Sequence, residues 1–294
     1  MTAEIFAEWL RRQGLRVLQT TSADWVELGP RVFQAVPYHA QIDPSQAELE
    51  QLLRDRKVLA LRYSTRADRQ EGMPSYHVVR QPGPYCLEML SKKARYDIRR
   101  GLAVSTTGPL SLEELADQGW ELRRDTLARQ GRQAAESDQD WRSLCLSAVG
   151  LPGFEAWGTW SDGKLAASLL AFTCDDCVSI LYQQSRTRFL ASSVNHALTF
   201  TFTQAALQRP GRPWLFYGLQ SLDAPASVDE FKFRLGYTAR PVRQRVVFHP
   251  WLGPLATRSS HSLLSWAQRR MPGNPTLAKA EGMVRFYLQG NVEG

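Results

Sequence analysis

Residues 154–160, 165–173 and 177–184 read as three consecutive strands, joined by Ser161-Asp162-Gly163-Lys164 and by the two-residue Asp175-Asp176, both with hairpin chemistry. They form an antiparallel meander, and few folds accommodate what flanks it. On its N-terminal side a short strand from Leu102 precedes a helix opened by the capping box Ser111 to Glu114, and a second helix covers 138–149. On its C-terminal side Val194, Ala197, Leu198, Thr201, Phe202 and Ala205 recur at helical spacing over 193–208. A strand at 214–217 follows, then a helix opened by Ser227 and Glu230 and stopped by Gly236, then a strand at 242–248. The order is strand, two helices, three strands, helix, strand, helix, strand, which predicts a mixed α/β domain.

The region before it is smaller and incomplete. Strands are expected at 31–38, 58–63 and 75–80, with a helix at 45–56 whose start is set by Ser45 and Glu48. An amphipathic N-terminal stretch places Ile5, Phe6, Trp9 and Leu10 on one face. Residues 91–100 put Lys92, Arg95 and Arg99 along one side of a helix that Gly101 is expected to end, either a phosphate or carboxylate contact or a solvated linker. The expected organisation is a unit over 1–101, a complete domain over 102–250 and a helical appendage over 251–294.

Thirty-six basic against 29 acidic residues give a net charge of +7, which favours anionic partners. The longest apolar stretch, 165–172, is far short of a membrane span, and the first thirteen residues carry Glu4 and Glu8 where a secretory leader would be basic then apolar. The expected location is cytoplasmic. Cys174 and Cys177 form a CxxC, yet Cys86 and Cys145 stand alone and supply no second ligand pair, so strand cysteines flanking a turn are expected rather than a metal. A nucleophile elbow and a P-loop are both lacking, which argues against a hydrolase and an NTPase.

The element order resembles the GNAT acyltransferase fold, a mixed sheet splayed at its centre and flanked by helices. The local sequence resembles its FemAB-like branch, whose better-known members add amino acids to peptidoglycan precursors. Two segments carry the likeness: 91–100, and Trp214-Leu215-Phe216-Tyr217-Gly218-Leu219 continuing into Asp229-Glu230-Phe231-Lys232-Phe233-Arg234-Leu235-Gly236-Tyr237. A partial N-terminal GNAT-like unit, as that branch often carries, would account for the incomplete first region. The implied chemistry is attack of an amine on an activated acyl group, from an acyl-CoA such as acetyl-CoA or, alternatively, from aminoacyl-tRNA. The acceptor implied is a small-molecule or peptide amine. A GNAT-fold scaffold that binds an anionic ligand without turnover is the non-enzymatic alternative.

The resemblance implies site residues. The family's pyrophosphate loop reads Gln or Arg, two residues, Gly, one residue, then Gly or Ala. Its nearest match is Arg188-Phe189-Leu190-Ala191-Ser192-Ser193, with Ala191 in place of the glycine. Arg186, Arg188, Ala191, Ser192, Ser193 and Asn195 are accordingly the expected donor contacts at a helix N-terminus. Asp223 is the candidate base, Tyr217 the acid for the leaving group, and Lys232, at the family's Phe-Lys position, the contact to donor or oxyanion. Tyr182 and Gln183, with the stripe Lys92, Arg95 and Arg99, are expected on the acceptor side. Plainer alternatives are Tyr217 as a strand aromatic and Lys232 as a surface lysine; His196, on the helix at 193–208, reads either as a general base or, more plainly, as a packing residue.

Overall fold

The computed structural model describes residues 2–54, 57–130, 136–220, 227–271 and 274–290. The chain opens with α1 (Ala3–Arg12), then β1 (Val17–Gln19), β2 (Asp24–Gly29), β3 (Val32–Val36), α2 (Gln46–Arg54), β4 (Ala60–Arg66) and β5 (Met73–Arg80). It continues through α3 (Lys92–Val104), β6 (Thr106–Leu110), α4 (Leu112–Arg129), α5 (Asp138–Leu146), β7 (Phe154–Ser161), β8 (Lys164–Cys174), β9 (Cys177–Ser185), α6 (Val194–Leu207), β10 (Trp214–Leu219) and α7 (Ser227–Arg234). It closes with β11 (Thr238–Phe248), α8 (Arg258–Arg270) and α9 (Pro275–Gly290). The order from β6 to β11 is the one expected of the GNAT fold, and the chain has that mixed α/β architecture.

Two compact units divide these elements. The first comprises Met1–Ile5, Val78–Gly218 and Ala226–Thr238. Its strands run β5-β10-β9-β8-β7-β6, with residues 78–80 as its share of β5. The meander forms for local reasons: Asp162 and Gly163 both take left-handed φ, as a two-residue hairpin turn demands, and Cys174 pairs with Cys177 across Asp175-Asp176. α4 is fixed at its start by the complete capping box Ser111–Glu114, and α5 by a second one, Ser137–Asp140.

α3 and α6 pack closely because Gly101 lacks a side chain. A Cβ there would stand 2.6 Å from the Ser193 carbonyl oxygen and 3.0 Å from the Ala197 Cβ. Gly101 therefore does not stop α3, which runs on to Val104. The glycine serves helix contact rather than helix termination.

The second unit, Phe6–His77, Leu219–Pro225 and Ala239–Gly294, orders its strands β1-β2-β3-β4-β11-β5. The β1–β2 hairpin escaped the sequence reading because its three-residue first strand is only half-buried and shows no alternation. Trp25, Phe33, Leu49, Val58, Leu61 and Tyr63 form its main core. α8 and α9 pack together through His261, whose ring nitrogen lies 2.8 Å from the Glu281 carboxylate.

Candidate active site

β9 and β10 pair in parallel only as far as Trp214↔Cys177, Leu215↔Val178 and Phe216↔Ser179. β9 runs on to Ser185 and β10 to Leu219 without further pairing between them, so the strands part after Phe216. A bulge assists the parting. Leu170 faces Tyr182 while Ala171 faces Ile180, which leaves Leu181 as an extra residue that bends β9.

Side chains bridge the opening where the backbone ladder stops. The Tyr217 hydroxyl donates to the Gln183 Oε1, and Gln183 Nε2 donates to the Thr199 hydroxyl of α6 at 3.0 Å. Tyr237 lies against Tyr217 with ring centroids 5.1 Å apart, and its hydroxyl is 2.7 Å from Thr203. Burial pushes the Tyr217, Tyr237 and Tyr85 phenols above their ordinary range, so all three are protonated donors at neutral pH.

Lys232 reaches this place from α7. Its Nζ is 5.2 Å from the centroid of the Tyr217 ring and 3.6 Å from where a Cβ on Gly218 would stand. Asp229, one turn earlier, accepts from it at 2.8 Å, and both side chains are largely buried. A lysine held like this is a fixed positive charge rather than a solvated surface group. Glu230 turns away, accepting from Arg234 at 3.1 Å. Asp223 lies outside the described residues.

Tyr182 and Gln183 do not share a site. Successive strand residues point to opposite faces. Gln183 faces α6, whereas Tyr182 lies under Arg123 of α4, 5.3 Å from its guanidinium carbon, and edge-on to Trp141 of α5 at 6.1 Å.

The segment proposed to hold a pyrophosphate is a 3-10 turn, Thr187–Ser192, closed by Ser193 with φ +60°. Arg186 pairs with Glu121, Arg188 stacks on the Phe189 ring at 4.5 Å, Ala191 is exposed, and Ser192 is half-buried. Asn195 donates to Ser185 Oγ at 2.9 Å. Arg100 of α3 donates to the Ser193 hydroxyl, from Nε at 3.1 Å and from Nη2 at 2.5 Å. With Gly101 seated on the Ser193 carbonyl, α3 covers the start of α6. Asp97 completes the junction, accepting from Arg100 at 3.2 Å and lying 3.9 Å from His196. Burial lowers the His196 pKa, partly opposed by Asp97, so this histidine packs there as a neutral ring against Phe231. The helix end that would receive a coenzyme A pyrophosphate thus carries Ala191 in place of the loop's glycine and a Ser193 hydroxyl engaged by Arg100.

The stripe Lys92, Arg95 and Arg99 lies on α3, with Lys92 and Arg99 exposed and Arg95 half-buried. Its charges act on Glu88, whose carboxyl is held below its usual range by its own backbone amide and Cys86, then by Arg99 and Arg95. A surface pocket of about 590 Å³ opens at the head of this helix, lined by Leu90, Ser91, Glu230, Phe233 and Gly236. Arg100 and Asp97 belong to the same sequence segment but lie off the stripe, and no local pattern announces a contact made 93 residues away.

No protein-family model and no curated protein sequence matches the chain. Solved structures do. The chain is similar to the C-terminal domain (DUF2156) of a putative lysylphosphatidylglycerol synthetase from Agrobacterium fabrum, with 13% identity over 82% of this chain and 87% of that one and a TM-score of 0.52. It is similar to FemX, with 11% identity, coverage of 84% and 92%, and a TM-score of 0.55. The L-PGS of Bacillus licheniformis gives 11% identity, coverage of 84% and 91%, and a TM-score of 0.54. At such identities the likeness is one of architecture, and the chain has the fold of FemX and of these synthetase domains.

Proposed function

We propose that the protein transfers an aminoacyl group from an ester donor of the aminoacyl-tRNA kind to a primary amine, at the opening between β9 and β10. The observation that carries the choice of donor is the start of α6. The loop there has Ala191 in place of the glycine that lets backbone approach a pyrophosphate, and it ends on Ser193, whose hydroxyl Arg100 holds, so the turn departs from that of the acyl-CoA enzymes. The fold shared with FemX and with a putative lysylphosphatidylglycerol synthetase, a name that describes a lysyl product, agrees with this donor class.

In this reading the acceptor amine attacks the ester carbonyl, and the carbonyl oxygen takes up charge beside the Lys232 ammonium. The C–O bond to the donor then breaks, and its oxygen takes a proton from Tyr217, which burial keeps protonated. Asp223 is the candidate base for the attacking amine. Lys92, Arg95, Arg99 and Arg188 meet donor phosphates. Asn195, Arg186, Ala191, Ser192 and Tyr182 have structural roles, as hydrogen-bond, ion-pair, turn and packing residues.

Filter binding with charged bulk tRNA, beside calorimetry with acetyl-CoA, tests the donor. Salt-sensitive tRNA binding and no heat from millimolar acetyl-CoA are expected, with transfer of labelled amino acid to an amine falling about 10²–10³-fold in Lys232→Met. Saturable acetyl-CoA binding abolished by Arg188→Ala would overturn the donor assignment.

A further inference from the structure

α8 buries none of its residues completely and presents large apolar side chains outward. Leu263 is 66% exposed and Trp266 51%, and Arg270 follows at the next turn of the same face. The helix ends at Met271, 51% exposed, and the turn leading into it adds Trp251 and Leu255, 67% and 65% exposed. The opposite face is used inside the unit, where His261 and Ser265 meet Glu281 of α9. α8 is thus a two-faced helix with its polar partners inside and its tryptophan and leucine outside.

The charged residues of this stretch of sequence have one sign. Between Glu230 and Glu281 the sequence contains no acidic residue, while Arg258, Arg269 and Arg270 bracket the exposed face. The Arg270 guanidinium sits 5.1 Å over the Trp266 ring, so cation and aromatic face outward together. A contact with RNA would use the arginines and the tryptophans, but it gives Leu255, Leu263 and Met271 nothing to enter. A second copy of the chain would bring the same arginines against each other. Tryptophan, leucine and methionine flanked by arginine, with the Glu281 carboxylate held on the inner face of α8 by His261 and Arg285, match the headgroup region of an anionic bilayer, where apolar side chains enter the acyl boundary and guanidinium groups meet lipid phosphates.

We infer that α8 and the turn before it form a peripheral docking surface for anionic membranes. The inference is independent of the donor proposed above, because it rests on different residues and a different unit. No helix among the described residues is long and apolar enough to cross a membrane, and a helix lying in the interface needs no such length.

Co-sedimentation with vesicles tests this directly, using equimolar phosphatidylglycerol and phosphatidylcholine against phosphatidylcholine alone. Binding to the anionic vesicles is expected, weakened roughly 30-fold by Arg269→Ala with Arg270→Ala, each arginine counting for about fivefold. Leu263→Ser with Trp266→Ser is expected to abolish it while the circular dichroism melt holds. The surface is overturned if the wild-type protein stays in the supernatant with anionic vesicles, or if both double variants sediment as the wild type does. It is equally overturned if Leu263→Ser with Trp266→Ser instead dissolves a dimer seen by light scattering, or if retention is found on single-stranded RNA and not on vesicles.

Discussion

Replacing Gly101 with alanine sets two effects against each other. Alanine is favoured over glycine within a helix by about 1 kcal/mol. The new Cβ, however, would stand 2.6 Å from the Ser193 carbonyl oxygen and 3.0 Å from the Ala197 Cβ, closer than side-chain atoms tolerate. The first obstacle is backbone and cannot swing aside, so the cost belongs at the upper end of the 1–3 kcal/mol range of overpacked cores, about 3 kcal/mol. The net expectation is a loss of about 2 kcal/mol, or about 3 °C in thermal midpoint for a chain of this size. Urea and thermal unfolding followed by circular dichroism read it, with Gly108→Ala as control, since nothing lies within 4 Å of a Cβ there. If Gly101→Ala is neutral or stabilising while Gly108→Ala behaves as expected, the close seating of α3 on α6 is wrong.

Other expectations follow from the same geometry. Burial drives the His77 pKa from 6.5 down to about 3, with the His39 and Arg240 charges adding to it. The unfolded chain therefore takes up this proton first, and stability is lost as pH falls from about 6.5 toward 3, by roughly 3 kcal/mol at pH 4. His77→Gln should remove most of that slope in urea titrations run from pH 7 to 4. Tyr217→Phe deletes the hydroxyl that bridges to Gln183 and should cost about 1 kcal/mol of stability while lowering kcat more than it changes KM. Cys145 and Cys174 are buried thiols, the first pushed up by burial and the second to about 11, whereas Cys86 is only half-buried. A thiol reagent at pH 8 should label Cys86 in the native protein and the other three after denaturation, which peptide mapping resolves.

The order of elements was legible because it is written in local chemistry. Ser111 with Glu114 opens α4 as read, and Asp162-Gly163 turns the meander. Ser45 also caps its helix as read, and the Glu48 carboxylate accepts from the Ser45 backbone and, at 2.7 Å, from the Ser22 hydroxyl, the second contact being one that only tertiary structure supplies. In the site the division is the same. Tyr217 and Lys232 lie together because a strand end and a helix face put them there. Tyr182 and Gln183, neighbours in sequence, separate onto opposite faces of β9, and nothing local states which face receives α6. The Arg100 contact with Ser193 and the Tyr237 contact with Tyr217 join segments far apart in the chain, so only the folded arrangement reveals them.

Ser193 sits at φ +60°, a backbone region that an L side chain enters at a cost and glycine enters freely. It also occupies the last small-residue position of the loop pattern 188–193. Glycine there would relax the backbone and at the same moment delete the hydroxyl that Arg100 holds. One substitution therefore couples relief of backbone strain at the head of α6 to loss of its hydroxyl link to α3, leaving Asp97 as the partner of the Arg100 guanidinium.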